Sequence, residues 1–321
     1  MKRKLVQHGN TSLTVSLPKK WTDKFNLKKG DEIEIVEKDD KLFLYLQAGN
    51  ISEKPFKKGV LDVSKTGVLT RRSFDAMYKA GYDEIEIIYT HPEQLKDVKT
   101  AIDNEAMAFE ILKQEKNKCI VRSISEADPT EFDSLLRRTL LLLKVMGEDL
   151  LTALKNNDYN TISTIKDLEK TNNKFTHFCR RALAKNGYKE YNKTVFMYTI
   201  VEQLEKCADE LKFLCDFLTS ENSKKWEENK KQGENKKVKI SFDTFLLFED
   251  VNKSIAMFND LFFNFSIDKA KEFGAQRKKV MKDGFELLKK KKDNEKVVVH
   301  YLINIESMIF DMFGPYMALV L

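Results

Sequence analysis

The stretch that decides the N-terminal fold reads HGNTSLTVSLPKKW and spans residues 8–21. Leu13, Val15 and Leu17 alternate with polar residues, and this period predicts a half-buried β-strand. The proline that follows lacks a backbone N–H and should end the strand. The next residues, 19–26, predict one or two helical turns.

A hairpin is predicted after this helix. The sequence LKKGDEIEI at residues 27–35 turns at Gly30 into a strand, and residues 42–46 form its partner beyond Asp39-Asp40. The apolar residues of both strands should share one face. Because four short strands cannot bury much surface alone, we expect a second copy of the chain to complete the sheet.

The order of these elements resembles the SpoVT/AbrB (MazE-like) swapped-hairpin family, in which two chains interleave their hairpins into one β-barrel. The resemblance covers residues 1–48 and implies a dimeric DNA-binding domain. Some members of the family use the barrel only to dimerise or to bind a toxin. The segments that carry the resemblance, in order and spacing, are Gly9-Asn10-Thr11-Ser12, Val15-Ser16-Leu17-Pro18-Lys19 and Leu27-Lys28-Lys29-Gly30-Asp31.

Basic residues at the start of the chain and around the predicted turn are candidates for DNA contact. Residues 1–47 hold ten Lys and Arg and seven Asp and Glu, and all seven acids lie at or after Asp23. Cations bind phosphates through counterion release, and polar side chains read base edges. Alternatively, the charges keep a small sheet soluble. The candidates are Lys2, Arg3, Lys4, His8, Asn10, Lys19 and Lys20.

Composition limits the class of protein. The chain has 321 residues, 42% of them hydrophobic, which suggests two or three domains. The net charge of +6 is modest, so a nucleic-acid surface must be local. The four cysteines stand at no metal-ligand spacing and indicate reduced thiols. We see no targeting segment and no long apolar run, and we expect a cytoplasmic protein without membrane insertion.

A small α/β module is predicted at residues 59–125, after a short linker at 48–55. Strands at 60–63 and 84–89 alternate with helices at 70–80 and 92–106, and a hairpin at 109–112 and 119–124 closes the module. Neither a glycine-rich phosphate loop nor a catalytic set of side chains is visible. We therefore expect no enzymatic activity.

Long helices dominate residues 128–321, so the whole chain should be multidomain and mainly α. We predict two triplets that form a repeat, 128–219 and 241–321, joined by a polar linker at 220–239. Leu204-Glu205 aligns with Ile305-Glu306 about one hundred residues later. The six predicted helices span 128–155, 158–186, 192–219, 241–265, 268–291 and 295–321.

The third of these helices carries an apolar stripe and three acids beside it. The acids are Glu202, Glu205 and Asp209, which share one helical face and repel each other. A bound cation would remove this repulsion. Alternatively, they form a solvated face paired with Lys206 and Lys212. The stripe consists of Val201, Leu204, Ala208, Leu211, Cys215 and Leu218.

A doubled three-helix bundle with Leu204-Glu205-Lys206-Cys207-Ala208-Asp209 in its third helix resembles PhoU, the phosphate-uptake regulator family. The resemblance covers residues 128–321 and implies divalent or ferric metal ions on acidic motifs. Together with the barrel it resembles archaeal phosphate-uptake regulators. The chain departs from the pattern because Phe310 stands four residues after Glu306, and Asn172 and Asn173 replace carboxylates.

These resemblances imply a homodimeric, DNA-binding transcriptional regulator of phosphate uptake, whose helical part is a sensor or interaction module. The alternative is an adaptor that dimerises through the barrel without binding DNA and docks on a phosphate transporter or signalling partner. A toxin antidote is the third hypothesis. It is disfavoured because antidotes are usually short chains, and this chain continues far beyond the barrel.

Overall fold

The computed structural model describes residues 2–38, 41–46, 56–125, 129–219, 238 and 240–321. Three predicted segments lie outside the described residues. They are the turn at Asp39-Asp40, the linker at 48–55 and, apart from Val238, the linker at 220–239. The chain divides into an N-terminal unit, Met1–Phe56, and a larger unit, Lys57–Leu321.

The N-terminal unit contains four short strands and one short helix. The elements are β1 (Val6–His8), β2 (Ser12–Thr14), α1 (Lys19–Lys24), β3 (Ile33–Lys38) and β4 (Lys41–Leu46). Strands β1 and β2 form one antiparallel pair, and β3 and β4 form another.

The strand predicted around Leu13 is shorter and more exposed than its sequence pattern indicates. Strand β2 ends at Thr14, and the side chains of Leu13 and Val15 are 65% and 51% exposed. Half-burial needs a second layer over these side chains, and the single chain does not place one there. In the second hairpin Ile35 pairs with Leu44, so these apolar side chains share a face as predicted.

The predicted α/β module is a four-stranded sheet with two helices. Its strand order is β5-β6-β8-β7, in which β5 and β6 are parallel and the other neighbours are antiparallel. Helix α2 makes the crossover between the parallel strands. The bounds are β5 (Lys58–Asp62), α2 (Thr70–Lys79), β6 (Glu84–Ile88), α3 (Leu95–Glu105), β7 (Phe109–Gln114) and β8 (Lys118–Ser123).

The core of this module lies between the sheet and the two helices. Ile85 and Ile87 alternate with half-buried residues on β6, and both are fully buried beside Phe74 and Tyr78 of α2. The helix predicted at 92–106 begins with a 3₁₀ turn, Pro92–Gln94, before α3.

Seven α-helices follow the module within the described residues. Asp158 and Ser266 cap two of them, each through a side-chain oxygen that accepts from a backbone N–H three residues on. The bounds are α4 (Pro129–Lys155), α5 (Tyr159–Asn186), α6 (Thr194–Leu218), α7 (Phe242–Phe263), α8 (Ile267–Lys290), α9 (Asp293–Asp311) and α10 (Phe313–Val320).

The sixth predicted helix, 295–321, is two helices. The chain breaks between α9 and α10 at Met312. Pro315 explains the break because it has no N–H to donate to the carbonyl four residues before it, and its ring crowds that carbonyl.

The helices pack as two triplets around one continuous hydrophobic core. Helices α4, α5 and α6 contact one another, as do α7, α8 and α9, and the triplets meet through the pairs α4–α7, α6–α9 and α6–α10. All six residues of the predicted stripe on α6 are buried, so that prediction is confirmed.

The segment Asp293–Val320 is long and apolar enough to cross a membrane, judged by length and composition alone. Core helices of water-soluble proteins share these properties, so the finding is weak evidence for a membrane span. Val298, Leu302 and Ile305 of this segment are fully buried against the other helices.

Candidate nucleic-acid interface and buried ionic cluster

A tight turn between β1 and β2 displays two of the predicted DNA-contact residues. Val6 pairs with Thr14 and His8 with Ser12, so the turn comprises residues 9–11. Gly9 has φ +68°, a left-handed conformation that glycine adopts without steric cost. His8 ends β1 and Asn10 lies in the turn, and both are exposed.

The other predicted contacts precede β1 or begin α1. Lys2, Arg3 and Lys4 lead into β1 and are exposed. Lys19 and Lys20 form the first turn of α1, which starts after Pro18. On the half-buried side of the helix, the rings of Trp21 and Phe25 pack edge to face at 5.5 Å.

The cations of this unit are not neutralised within the part of it that the structure describes. All ion pairs among the described residues lie beyond residue 57. Asp31 is used locally, because its Oδ2 accepts from the backbone N–H of Lys28 at 2.7 Å. The basic candidates are therefore available to an external anion.

The described residues of the same unit form no core of their own. None of the residues 2–35 is buried in the single chain. Large apolar side chains from both hairpins face solvent, which is unusual for so small a unit. These side chains are Leu5, Val6, Leu13, Val15, Ile35, Leu42 and Leu44.

Comparison with known protein families gives a match to this part of the chain. Residues 6–51 match the family described as antidote-toxin recognition MazE, bacterial antitoxin. This part of the chain is therefore similar to MazE-type domains. The match begins at β1, so Lys2, Arg3 and Lys4 stand just before it. No curated protein and no solved structure matches the chain.

The predicted metal-binding acids of α6 each have a different partner. Glu202 pairs with Lys206 at 3.0 Å on the surface. Glu205 contacts the buried guanidinium of Arg180. Asp209 lies beside the buried carboxylate of Glu169, and burial together with this neighbour raises the pKa of Asp209 to about 6.

This arrangement does not fit a metal ion held by these three acids. Within the residues that the structure describes, their ligand atoms do not converge on one point. The carboxylate of Glu205 is neutralised by Arg180, which an ion would have to displace, and the neighbouring Glu169 is paired with Lys212 at 3.1 Å.

A second group of polar side chains lies where the α/β module packs on α5. The Oδ1 atom of Asp75, on α2, is 2.9 Å from Nδ1 of His177, on α5, and Nε2 of His177 is 3.2 Å from Oε1 of Glu205. Glu105, at the end of α3, is paired with Arg71. We call Arg71, Asp75, Glu105, His177, Arg180 and Glu205 the interhelical cluster.

The electrostatics of this cluster depend on its burial. Burial alone would raise the pKa of Asp75, but His177 and Lys79 outweigh it and hold that pKa below its usual value. Burial lowers the pKa of Arg180. The His177 side chain is 3% exposed.

Sequence reasoning missed this cluster because its members come from four helices that are distant in the chain. In the sequence His177 has no partner at metal-ligand spacing, which is typical of a packed or surface histidine. No local spacing signals the contact, since Asp75 and His177 are about one hundred positions apart.

Arg181 makes a separate connection between α5 and the module. Its Nη1 donates to the carbonyls of Tyr78 and Tyr82 at 2.9 and 2.6 Å, and its Nη2 donates to Asp83 at 2.9 Å. Lys185 also pairs with Asp83. Both Arg181 and Asp83 are buried.

In the second triplet, Glu306 occupies the position that aligns with Glu205. Its side chain is fully buried, and neither carboxylate oxygen makes a hydrogen bond in the described part of the chain. Burial raises the pKa of Glu306 to about 7, an effect that the charge of Arg277 partly opposes. The two aligned acids therefore have different environments.

Proposed function

We propose that the protein is a cytoplasmic, homodimeric DNA-binding regulator of transcription, in which the N-terminal unit contacts the DNA. The observation that carries this proposal is the group of exposed, unneutralised cations in the MazE-type domain and the residues just before it. Such cations release counterions from DNA, and this release supplies most of the non-specific affinity of DNA-binding proteins.

Dimerisation is supported by the apolar side chains of the same unit. None of the residues 2–35 is buried, so they gain little free energy from folding alone, whereas a second copy would cover Leu13, Val15 and Ile35. A dimer would also double the number of cations available to one DNA duplex, which strengthens binding.

The larger unit is proposed to be a sensor or interaction module. The proposal that the regulated process is phosphate uptake rests on the resemblance of the helical part to PhoU and on its fusion to the N-terminal domain. The two helix triplets, with Leu204-Glu205 and Ile305-Glu306 on corresponding helices, are consistent with that resemblance.

The experiment is an electrophoretic mobility-shift titration of a mixed-sequence DNA duplex at increasing salt. We expect retention at about 50 mM salt and loss of 10³-fold or more in affinity by about 200 mM, as for a dimer that makes about eight phosphate contacts. Absence of a shift at the lowest salt would overturn the proposal.

A second candidate is an antidote that occupies a toxin, and the description of the matching family favours it. Growth rescue when the chain is co-expressed with a toxin encoded beside it would support this role. The adaptor hypothesis makes a different prediction, namely that a membrane transporter subunit co-purifies with the protein while DNA is not retained at any salt concentration.

A further inference from the structure

Three potential metal ligands converge inside the interhelical cluster. Asp75, Glu105 and His177 each offer one ligand atom, and these atoms lie within 4.8 Å of one another. The three residues come from α2, α3 and α5. None belongs to the acidic set predicted on α6.

The imidazole of His177 lacks the hydrogen bonds that its burial requires. Its side chain is 97% buried, yet neither ring nitrogen makes a hydrogen bond of acceptable geometry in the described part of the chain, and Oδ1 of Asp75 also lacks one. Leaving buried polar atoms without a hydrogen-bond partner costs free energy, so an additional group that contacts these atoms would be stabilising.

The distances suit a small cation. Two ligand atoms at right angles around an ion with bonds of about 2.1 Å stand about 3 Å apart. The separation of 2.9 Å between Nδ1 of His177 and Oδ1 of Asp75 agrees with this value. A modest rotation of the side chains would therefore direct both atoms at one ion.

In Asp75 and in Glu105, one carboxylate oxygen is already held by a basic residue, and the other oxygen remains for an ion. Lys79 holds Oδ2 of Asp75 at 2.6 Å, which leaves Oδ1 for a ligand. Both contacts of Arg71 go to Oε1 of Glu105, which leaves Oε2. Hydrogen bonds of this kind fix the direction of metal-binding carboxylates.

The charge balance leaves room for one more cation. Among the carboxylates and the Lys and Arg side chains of this region, five acids face four bases. The acids are Asp75, Glu105, Glu169, Glu205 and Asp209, and the bases are Arg71, Lys79, Arg180 and Lys212.

We propose that Asp75, Glu105 and His177 bind a divalent first-row transition metal and thereby link the α/β module to α5. One imidazole and two carboxylates suit Mn²⁺, Fe²⁺ or Zn²⁺, whereas Mg²⁺ and Ca²⁺ favour sites made of oxygen ligands alone. The three ligands all belong to the unit Lys57–Leu321, and the proposal does not depend on the proposed function.

The test is equilibrium dialysis of the chelator-treated whole protein against Mn²⁺ and, separately, Zn²⁺, with metal per chain measured by mass spectrometry. We expect one ion per chain in the wild type. His177→Gln and Asp75→Asn should each weaken binding at least tenfold. The control Glu202→Gln should bind as the wild type does, because Glu202 is exposed and paired with Lys206.

A measurement on the wild type guards against variants that fail to fold. Electron spin-echo spectra of the Mn²⁺-loaded protein should show coupling to one imidazole nitrogen. Three results would overturn the proposal: no metal bound in the wild type, metal bound without nitrogen coupling, or metal lost in Glu202→Gln but retained in His177→Gln.

Discussion

The N-terminal unit and the unit of Lys57–Leu321 differ in the burial of their apolar side chains and in the pairing of their charged ones. In the first, apolar side chains are exposed and cations have no acidic partner among the described residues. In the second, two hydrophobic cores are closed and acids meet bases between helices. The difference supports the proposal that the N-terminal unit acts together with partners, a second copy and DNA.

The largest effect should come from placing a charge on the exposed apolar face of the N-terminal unit. Val15→Asp would bury an unpaired carboxylate in each copy of a dimer, at a cost of several kcal/mol per copy. We expect a monomer by light scattering after size-exclusion chromatography. Leu141→Asp on α4 is the matched control, because both side chains are 51% exposed, and it should leave the dimer intact. Dimers of Val15→Asp would refute the proposed interface.

The next largest effect should come from breaking the connection between α5 and the module. Arg181→Ala would leave Lys185 as the remaining cationic partner of the buried Asp83 carboxylate and should lower the free energy of unfolding by about 3 kcal/mol in urea titrations. Lys189→Ala removes the exposed pair with Asp133 and should cost less than about 1 kcal/mol. An equal loss in the free energy of unfolding for the two variants would contradict the contrast between buried and exposed ion pairs.

A smaller, pH-dependent effect should come from Glu306. The folded protein keeps this carboxyl protonated up to about pH 7, whereas the unfolded chain ionises it near the ordinary value of 4.5. The folded state therefore binds more protons in this range, and the free energy of unfolding should fall as pH rises from about 4.5 to 7.

Glu306→Gln should remove this decline and be more stable than the wild type at pH 8, by on the order of 2 kcal/mol in urea titrations. Glu205→Gln is the comparison from the other triplet. It should be destabilising at pH 8 because it leaves the buried Arg180 without its carboxylate. If the free energy of unfolding at pH 8 changed in the same direction in both variants, the different environments assigned to Glu306 and Glu205 would be contradicted.

The spacing of apolar residues along the sequence predicted the helices and strands of this chain well. The spacing of Leu204 and its neighbours predicted the buried face of α6, and the alternation around Ile35 and Leu44 predicted the face of the second hairpin. The break at Met312 was missed, although Pro315 signals it, because the apolar pattern continues through it.

Partners from distant elements could not be predicted. Spacing within α6 placed Glu205 beside the apolar stripe, but it contained no information on which side chain of α5 would face it. Arg180 and His177 occupy that position, and the carboxylate is consequently part of an ion-paired cluster. The exposure of Leu13 was also unpredictable from one chain, since half-burial of a strand presumes the layer that covers it.

The central claim is that the cations at the start of the chain contact DNA. Its most direct test is the salt dependence of binding by fluorescence anisotropy, for the wild type, the double variant Arg3→Ala/Lys4→Ala and the control Lys289→Ala/Lys290→Ala. Lys289 and Lys290 form an equally exposed basic pair at the end of α8.

A dimer that loses two phosphate contacts per chain should show a slope of log affinity against log salt that is shallower by about 3.6, and the control should match the wild type. Equal slopes for all three proteins, or a shallower slope in the control alone, would contradict the claim.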